Sequence, residues 1–280
     1  MGTALAERLI GAGMAVIGFD IDPARYDELR DNGGTVAASA GDLAGKSDAI
    51  VIAVYDAAQV EALLGELQDS PARPAMICTT TCAPDEIERI AARAARAGFV
   101  FIEAPISGTS AEVNDGTAIA LVAGETDTIE TLDALLAALC PRRLRVGKIG
   151  DANRTKLAIN LILQNNRVAL AEGIVFAERM GLDARAFLEA AQQSAAYSRV
   201  MDTKGEKMLS RDFRPQSHIA QTLKDAELIL HEARQRGLRL PVTEAQAGLL
   251  RSAIALEGLD SDSSAIIEAL RRQPLPGASR

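Results

Sequence analysis

The 280-residue sequence predicts an α/β domain over residues 1–149, followed by an all-helical domain over 150–280. Three observations lead there. Short apolar runs alternate with amphipathic stretches through the first half, at spacings that fit parallel crossover units. From about Asn153 onward nearly every segment keeps the helical period. Between the two regimes lies Gly147-Lys148-Ile149-Gly150, a short breaker.

Residues 2–12 read as a helix, with Leu5, Leu9 and Ile10 on one side and Gly11-Ala12-Gly13 ending it. This Gly-x-Gly precedes a strand rather than a helix, so it reads as a C-cap and turn, not a phosphate loop. Ala15–Phe19 is predicted as a buried strand ending at Asp20, and Asp22-Pro23 starts a helix to about Asp31. Ala49–Val54 is an apolar strand, followed by a helix over 57–68. Ala75–Thr79 is a further strand; Pro84 opens a helix to about Ala97, which Gly98 stops. Phe99–Glu103, Ala118–Ala123, a helix over 127–139 and a short strand at Leu144–Val146 complete this half. The second half reads as helices over 153–180 capped by Gly181, 183–194, 197–209, 216–236 capped by Gly237, and 241–257 with Pro241 in its first turn. There is no internal repeat, and the tail after Arg272 is predicted to be disordered.

The totals narrow the function. The chain is 48% hydrophobic and 24% charged, as expected of a globular protein with a normal core. Its net charge of -8 disfavours nucleic acid, which needs a basic surface. Cys78, Cys82 and Cys140 form an odd set without framework spacing, and His218 and His231 offer no ligand spacing beside them. They read as reduced thiols of a cytoplasmic protein, with no metal. No apolar run approaches the ~20 residues of a membrane span, and the amphipathic N-terminus with Glu7 and Arg8 does not look like a signal peptide.

The front of the chain is incomplete as a dinucleotide-binding domain. Such a domain begins with a strand, then Gly-x-Gly-x-x-Gly, then a helix. Here the helix follows Met1-Gly2 at once. Gly2 fits the last glycine of that fingerprint. Asp20, 18 residues on at a strand end, fits the acid that takes the ribose hydroxyls. In the order 3-2-1-4-5-6 the absent strand is central. Each buried backbone group left unpaired costs about 1–3 kcal/mol, against a total stability of about 5–15 kcal/mol. The expectation is therefore that this sequence starts late, at an internal methionine; the alternative is a real truncation with weakened cofactor binding.

Lys156 and Asn160 lie one helical turn apart, early in the long helix. Some fifty residues earlier a strand ends in Glu103-Ala104-Pro105-Ile106-Ser107-Gly108. A lysine and an amide can manage a hydroxyl proton. Ser107, with the amides of Gly108 and Thr109, can hold a carboxylate as a small anion nest, at the strand end where ligands bind in open α/β sheets. The reading is hydride transfer on a small hydroxy acid.

With Asp20, Ser107-Gly108, Lys156 and Asn160 in place, the chain resembles the β-hydroxyacid dehydrogenase family. Its members include 3-hydroxyisobutyrate dehydrogenase and tartronate semialdehyde reductase, with 6-phosphogluconate dehydrogenase as a larger relative. Met1-Gly2 matches the end of the family's glycine loop, and Thr81 followed by Pro84 its Ser-Thr-x-x-Pro loop near the nicotinamide. The Glu103–Gly108 run resembles Asp-Ala-Pro-Val-Ser-Gly, Gly150 to Asn160 resembles Gly-x-x-x-Lys-x-x-Asn-Asn, and Phe213, Lys224 and Asp225 resemble a later Phe…Lys-Asp element. Thr109 stands where the family has a second glycine, Ile159 replaces the first paired asparagine, and Cys78 replaces an acid.

The resemblance implies a Rossmann-like cofactor domain joined by the long helix to the helical one. Lys156 would act as general acid/base and Asn160 as its partner. Ser107, Gly108 and Thr109 would hold the substrate, and Gly2, Asp20, Thr81, Lys224 and Phe213 the cofactor. Asp20 favours NAD, with NADP possible because Arg25 is near in sequence. A homodimer or homotetramer is expected. Two alternatives stay open: an imine reductase on the same fold, against which Lys156 argues, and a catalytically silent scaffold that lost its glycine loop.

Overall fold

The computed structural model describes residues 1–68 and 70–273; the rest of the predicted disordered tail, 274–280, lies outside the described residues. The chain divides into two compact units after Lys156.

The first unit runs through α1 (Gly2–Gly11), β1 (Ile17–Gly18), α2 (Arg25–Asp31), β2 (Thr35–Val36), α3 (Ala40–Gly45), β3 (Ala49–Ile52) and α4 (Ala57–Leu67). It continues with β4 (Ala75–Cys78), α5 (Pro84–Arg96), β5 (Phe101–Glu103), β6 (Ile106–Ser107), α6 (Ser110–Asn114), β7 (Ile119–Ala123), α7 (Thr126–Thr131), α8 (Asp133–Leu139) and β8 (Arg142–Gly147). The first turns of α9 (Asp151–Arg179) close it. Side-chain caps fix several starts: Ser39 accepts from the Asp42 amide at α3, and Asp56 from the Gln59 amide at α4. Pro84 opens α5, with Asp85 and Glu86 in its first turn and Arg93 and Arg96 near its end, as the helix dipole favours.

β3, β4 and β5 pair in parallel, with Ile50 beside Met76 and Ile77 beside Ile102. Both faces of these strands are covered: Val60, Leu64, Ile87 and Ile90 pack with one set of their side chains, and Leu5, Leu9 and Leu136 belong to the cluster on the other. The parallel crossover pattern read from the spacings does not continue beyond β5. β7 runs antiparallel to β5 and β6, then pairs in parallel with β8. The link from β6 to β7 carries only the five-residue α6, too short a connection for a parallel crossover.

The predicted buried strand at Ala15–Phe19 is a second correction. Its ladder spans Ile17 and Gly18 alone, and Ala15 and Phe19 are exposed. The cause is a lack of neighbours. Among the described strands β1 pairs only with β2 and β3 only with β4, so β1–β2 stands as a separate sheet. These strands flank the central position in the order 3-2-1-4-5-6. α1 bridges them through one apolar cluster, in which Ala4, Leu5 and Leu9 pack with Val16, Val51 and Ala53.

The second unit holds the rest of α9, α10 (Ala184–Gln192), α11 (Arg199–Ser210), α12 (Ile219–Gln235), α13 (Pro241–Glu257), a 3-10 turn (Ser263–Ala265) and α14 (Ile266–Arg271). Its core gathers Ala171, Ile174, Met208, Ile219, Ala226, Leu250 and Ile267. Gly181 and Gly237 follow α9 and α12 as expected. The predicted helix over 127–139 breaks at Leu132 into α7 and α8. No helix among the described residues is long and apolar enough to cross a membrane.

Candidate active site

The first turns of α9 are held by one buried carboxylate. Glu103 ends β5 and is fully buried. It accepts hydrogen bonds from the Gly150 amide, the Ala152 amide at 3.3 Å, the Asn153 amide at 3.1 Å and Asn153 Nδ2 at 2.6 Å. The first amides of a helix have no partner within it, and a carboxylate there meets both that need and the helix dipole. Burial pushes the Glu103 carboxyl pKa up, against these four N–H donors. Asn153 is also fully buried, and its Oδ1 accepts from the Cys82 amide at 2.8 Å. One amide side chain thus ties α9 to the strand end after β5 and to the loop after β4, which carries Thr81. In the sequence Glu103 stands out only as the first letter of its motif, and Asn153 carries no local signal.

Lys156 follows Asn153 by three residues and is 7% exposed. A solvated surface lysine is thereby ruled out. Ser107 ends β6 and Gly108 follows with φ 153°. A Cβ on Gly108 would stand 2.8 Å from the Ala118 Cβ, so the turn admits only glycine. Thr109 departs from the expected anion nest. Its amide donates to Glu112 Oε2 at 2.8 Å, while its hydroxyl accepts from the Glu112 amide at 3.2 Å. This capping box starts α6 and consumes the Thr109 amide. Of the three residues expected to form the nest, Thr109 is thus set apart from Ser107 and Gly108.

In the second unit Asn160, 5% exposed, donates from Nδ2 to Asp225 Oδ2 at 2.9 Å. Asp225 Oδ1 lies 3.4 Å from Lys224 Nζ. The Lys-Asp pair read from the sequence on α12 is therefore a support for Asn160. Phe213 is half-buried against the helical core, and its carbonyl accepts from the Asp262 amide at 2.8 Å. That packing accounts for its partial burial.

At the other end of the first unit, α1 has no side-chain cap. Gly2 is its first residue, and a Cβ there would come no nearer than 3.9 Å to Ala53. Amides at a helix N-terminus that has no side-chain cap suit a diphosphate. Asp20 is exposed; its Oδ1 accepts from the Asp22 amide at 2.9 Å. Arg25 lies 3.7 Å from Asp22 and 4.0 Å from Glu28. These residues fit a dinucleotide: α1 for its phosphates and the Asp20 carboxylate for its ribose.

The family model for the NAD binding domain of 6-phosphogluconate dehydrogenase matches residues 1–147, and that described as the NAD-binding of NADP-dependent 3-hydroxyisobutyrate dehydrogenase matches residues 150–270. The 2-hydroxy-3-oxopropionate reductase of Escherichia coli is 31% identical over 274 residues, covering 96% of this chain and 94% of the relative. The chain belongs to the β-hydroxyacid dehydrogenase family. The L-threonate dehydrogenase of Cupriavidus necator is 27% identical, with 99% of this chain and 95% of the relative covered. The crystal structure of 3-hydroxyisobutyrate dehydrogenase from Salmonella typhimurium shares the fold with a TM-score of 0.88, at 24% identity and 95% coverage of each chain. The protein is thus an NAD(P)-dependent hydroxyacid dehydrogenase or reductase. Among the described residues no group of His, Cys, Asp or Glu could hold a metal ion, and all three cysteines are buried free thiols.

Proposed function

We propose that this protein interconverts a small β-hydroxy acid and the matching semialdehyde or keto acid, with Lys156 as general acid/base. The observation that supports it most is the buried amine and amide on one face of α9. Lys156 and Asn160 are four residues apart, about 6 Å along the axis, and the Asn160 side-chain nitrogen is committed to Asp225. That commitment fixes the Asn160 amide, and its second Nδ2 proton donates to the substrate oxygen, leaving the hydroxyl proton to Lys156. In oxidation the hydroxyl passes its proton to the Lys156 amine as its carbon gives up hydride. In reduction the Lys156 ammonium protonates the oxygen. The nicotinamide, when bound, accepts or supplies the hydride. Ser107 and the Gly108 amide take the acid end of the substrate. A buried proton-donating lysine disfavours the imine reductase and scaffold readings.

Turnover of 3-hydroxyisobutyrate, glycerate, threonate and 6-phosphogluconate with either nicotinamide tests the proposal; silence on every small hydroxy acid and its aldehyde would refute it. Asp225→Ala is expected to lower kcat/KM about tenfold, because the Asn160 amide loses the acceptor that orients it, a term of about 1–2 kcal/mol. Steady-state kinetics on the best substrate reads this directly. NAD is proposed as the preferred cofactor, since a 2′-phosphate would meet the Asp20 carboxylate. Asp20→Ala should therefore narrow the NAD-over-NADP ratio of kcat/KM about tenfold, a loss of roughly 1.4 kcal/mol. An unchanged ratio would remove Asp20 from the ribose site. A homodimer or homotetramer belongs to the same proposal; exposed Ile162, Phe176 and Met180 on α9 support it, and analytical ultracentrifugation measures it. The buried thiols support a cytoplasmic location; fractionation of the source cells tests it.

A further inference from the structure

Eleven residues beyond Lys156 on α9, about 16 Å along the helix, Arg167 enters the interior of the second unit. It is 5% exposed, and neither Nε nor Nη1 has a hydrogen-bond partner among the described residues. Burial lowers its pKa to about 10, which leaves it cationic at neutral pH. The carboxylate that acts on it is Asp262, itself fully buried. Asp262 is already saturated. Lys204 Nζ sits 2.9 and 2.8 Å from its two oxygens, and the amides of Gln216, Ser217 and Ser264 donate to it at 2.9, 3.0 and 2.9 Å. Lys204, 3% exposed, neutralises it. Glu268 offers no help, because it is engaged by Arg211 at 2.7 Å and Arg271 at 3.2 Å. Two residues from Asp262, the Ser264 hydroxyl is buried without a partner.

This cluster holds two cations against one anion. Its spare groups are two guanidinium nitrogens, Nε and Nη1 of Arg167, and the Ser264 hydroxyl. The surroundings are apolar, with Val168, Met201, Ala265 and Ile266 in the same core. Water could meet the N–H groups but not the charge, and an uncompensated buried charge is among the most costly features a core can carry. We propose that the second unit binds one small monovalent anion, of chloride size, on Arg167 beside the Lys204–Asp262 pair. The site is separate from the hydride-transfer groups and needs no substrate.

The test is thermal unfolding of the intact protein in sodium chloride against sodium gluconate at equal ionic strength. A ligand that binds only the folded state raises Tm with concentration, here by about 3–6 °C at saturation. Arg167→Met, close in length and uncharged, should lose the chloride increment and melt in gluconate at or above the wild-type temperature. Bromide NMR line broadening in the wild type, absent in the variant, reports the bound ion without reference to stability. Equal melting in chloride and gluconate, or a chloride increment that survives in Arg167→Met, overturns the proposal. Should the variant fail to fold, the wild-type salt comparison and the bromide linewidth decide alone.

Discussion

Lys156→Ala is expected to lower kcat/KM by about 10²–10⁴-fold, roughly 3–6 kcal/mol of transition-state stabilisation, while NADH still binds. The expectation follows from where the amine sits. Lys156 is 7% exposed, on a helix whose first turns are tied to Glu103 through three backbone amides and one side chain. An amine so placed has few rotamers to choose from, and the alkoxide formed in reduction needs a proton from a fixed donor. The groups assigned to the cofactor, Gly2 and Asp20, belong to other elements, so NADH affinity by fluorescence titration should stay within a few-fold of wild type. Lys156→Arg should not rescue turnover, because a guanidinium does not give up its proton near neutral pH and its planar fork fills a different volume. Turnover of the alanine variant within threefold of wild type would remove Lys156 from the chemistry.

Much of this site was legible in the sequence, and the reasons are physical. β3 and β4 were placed to within two residues because strands buried on both faces read as unbroken apolar runs. Pro84, Gly181 and Gly237 marked helix ends through their own backbone preferences. The Lys156–Asn160 spacing was readable because a helix puts residues four apart on one face. Other features left no such trace. β2 is two residues long, and α3 is Ala40-Gly41-Asp42-Leu43-Ala44-Gly45, too short for a period and poor in helix formers. α6 does carry a signal, the Thr109–Glu112 capping box, which competes with the anion-nest reading for the same Thr109 amide. Partners far apart in sequence were beyond reach. Nothing local says that Asp225 holds Asn160 across 65 positions, or that Glu103 holds Asn153 across 50. Phe213 carries a motif letter, and its packing against the helical core is a second constraint that the sequence does not mark.

Glu103→Ala should be the most destabilising single change in the first unit, at about 3–5 kcal/mol, since it leaves the Gly150, Ala152 and Asn153 amides and the Asn153 side chain without their acceptor. For a unit of this size that corresponds to a fall in Tm of about 8–15 °C. Glu103→Gln keeps one acceptor oxygen and should fall between the two. The pH dependence separates the hydrogen bonds from the charge. Burial raises the Glu103 pKa in the folded state above the ordinary 4.5. A raised folded pKa means that the carboxyl contributes its full stability below pH 4.5 and loses part of it as pH climbs through the raised value. The gap between wild type and Glu103→Ala is therefore widest at acid pH and narrows toward neutrality, while the alanine variant lacks this titration. Denaturant unfolding at several pH values measures both. The functional consequence runs through the same contacts: freed from β5, the first turns of α9 no longer fix Lys156, and kcat should fall with stability even where the protein stays folded. A Glu103→Ala variant that unfolds within 1 kcal/mol of wild type would show that α9 is anchored by something other than this carboxylate.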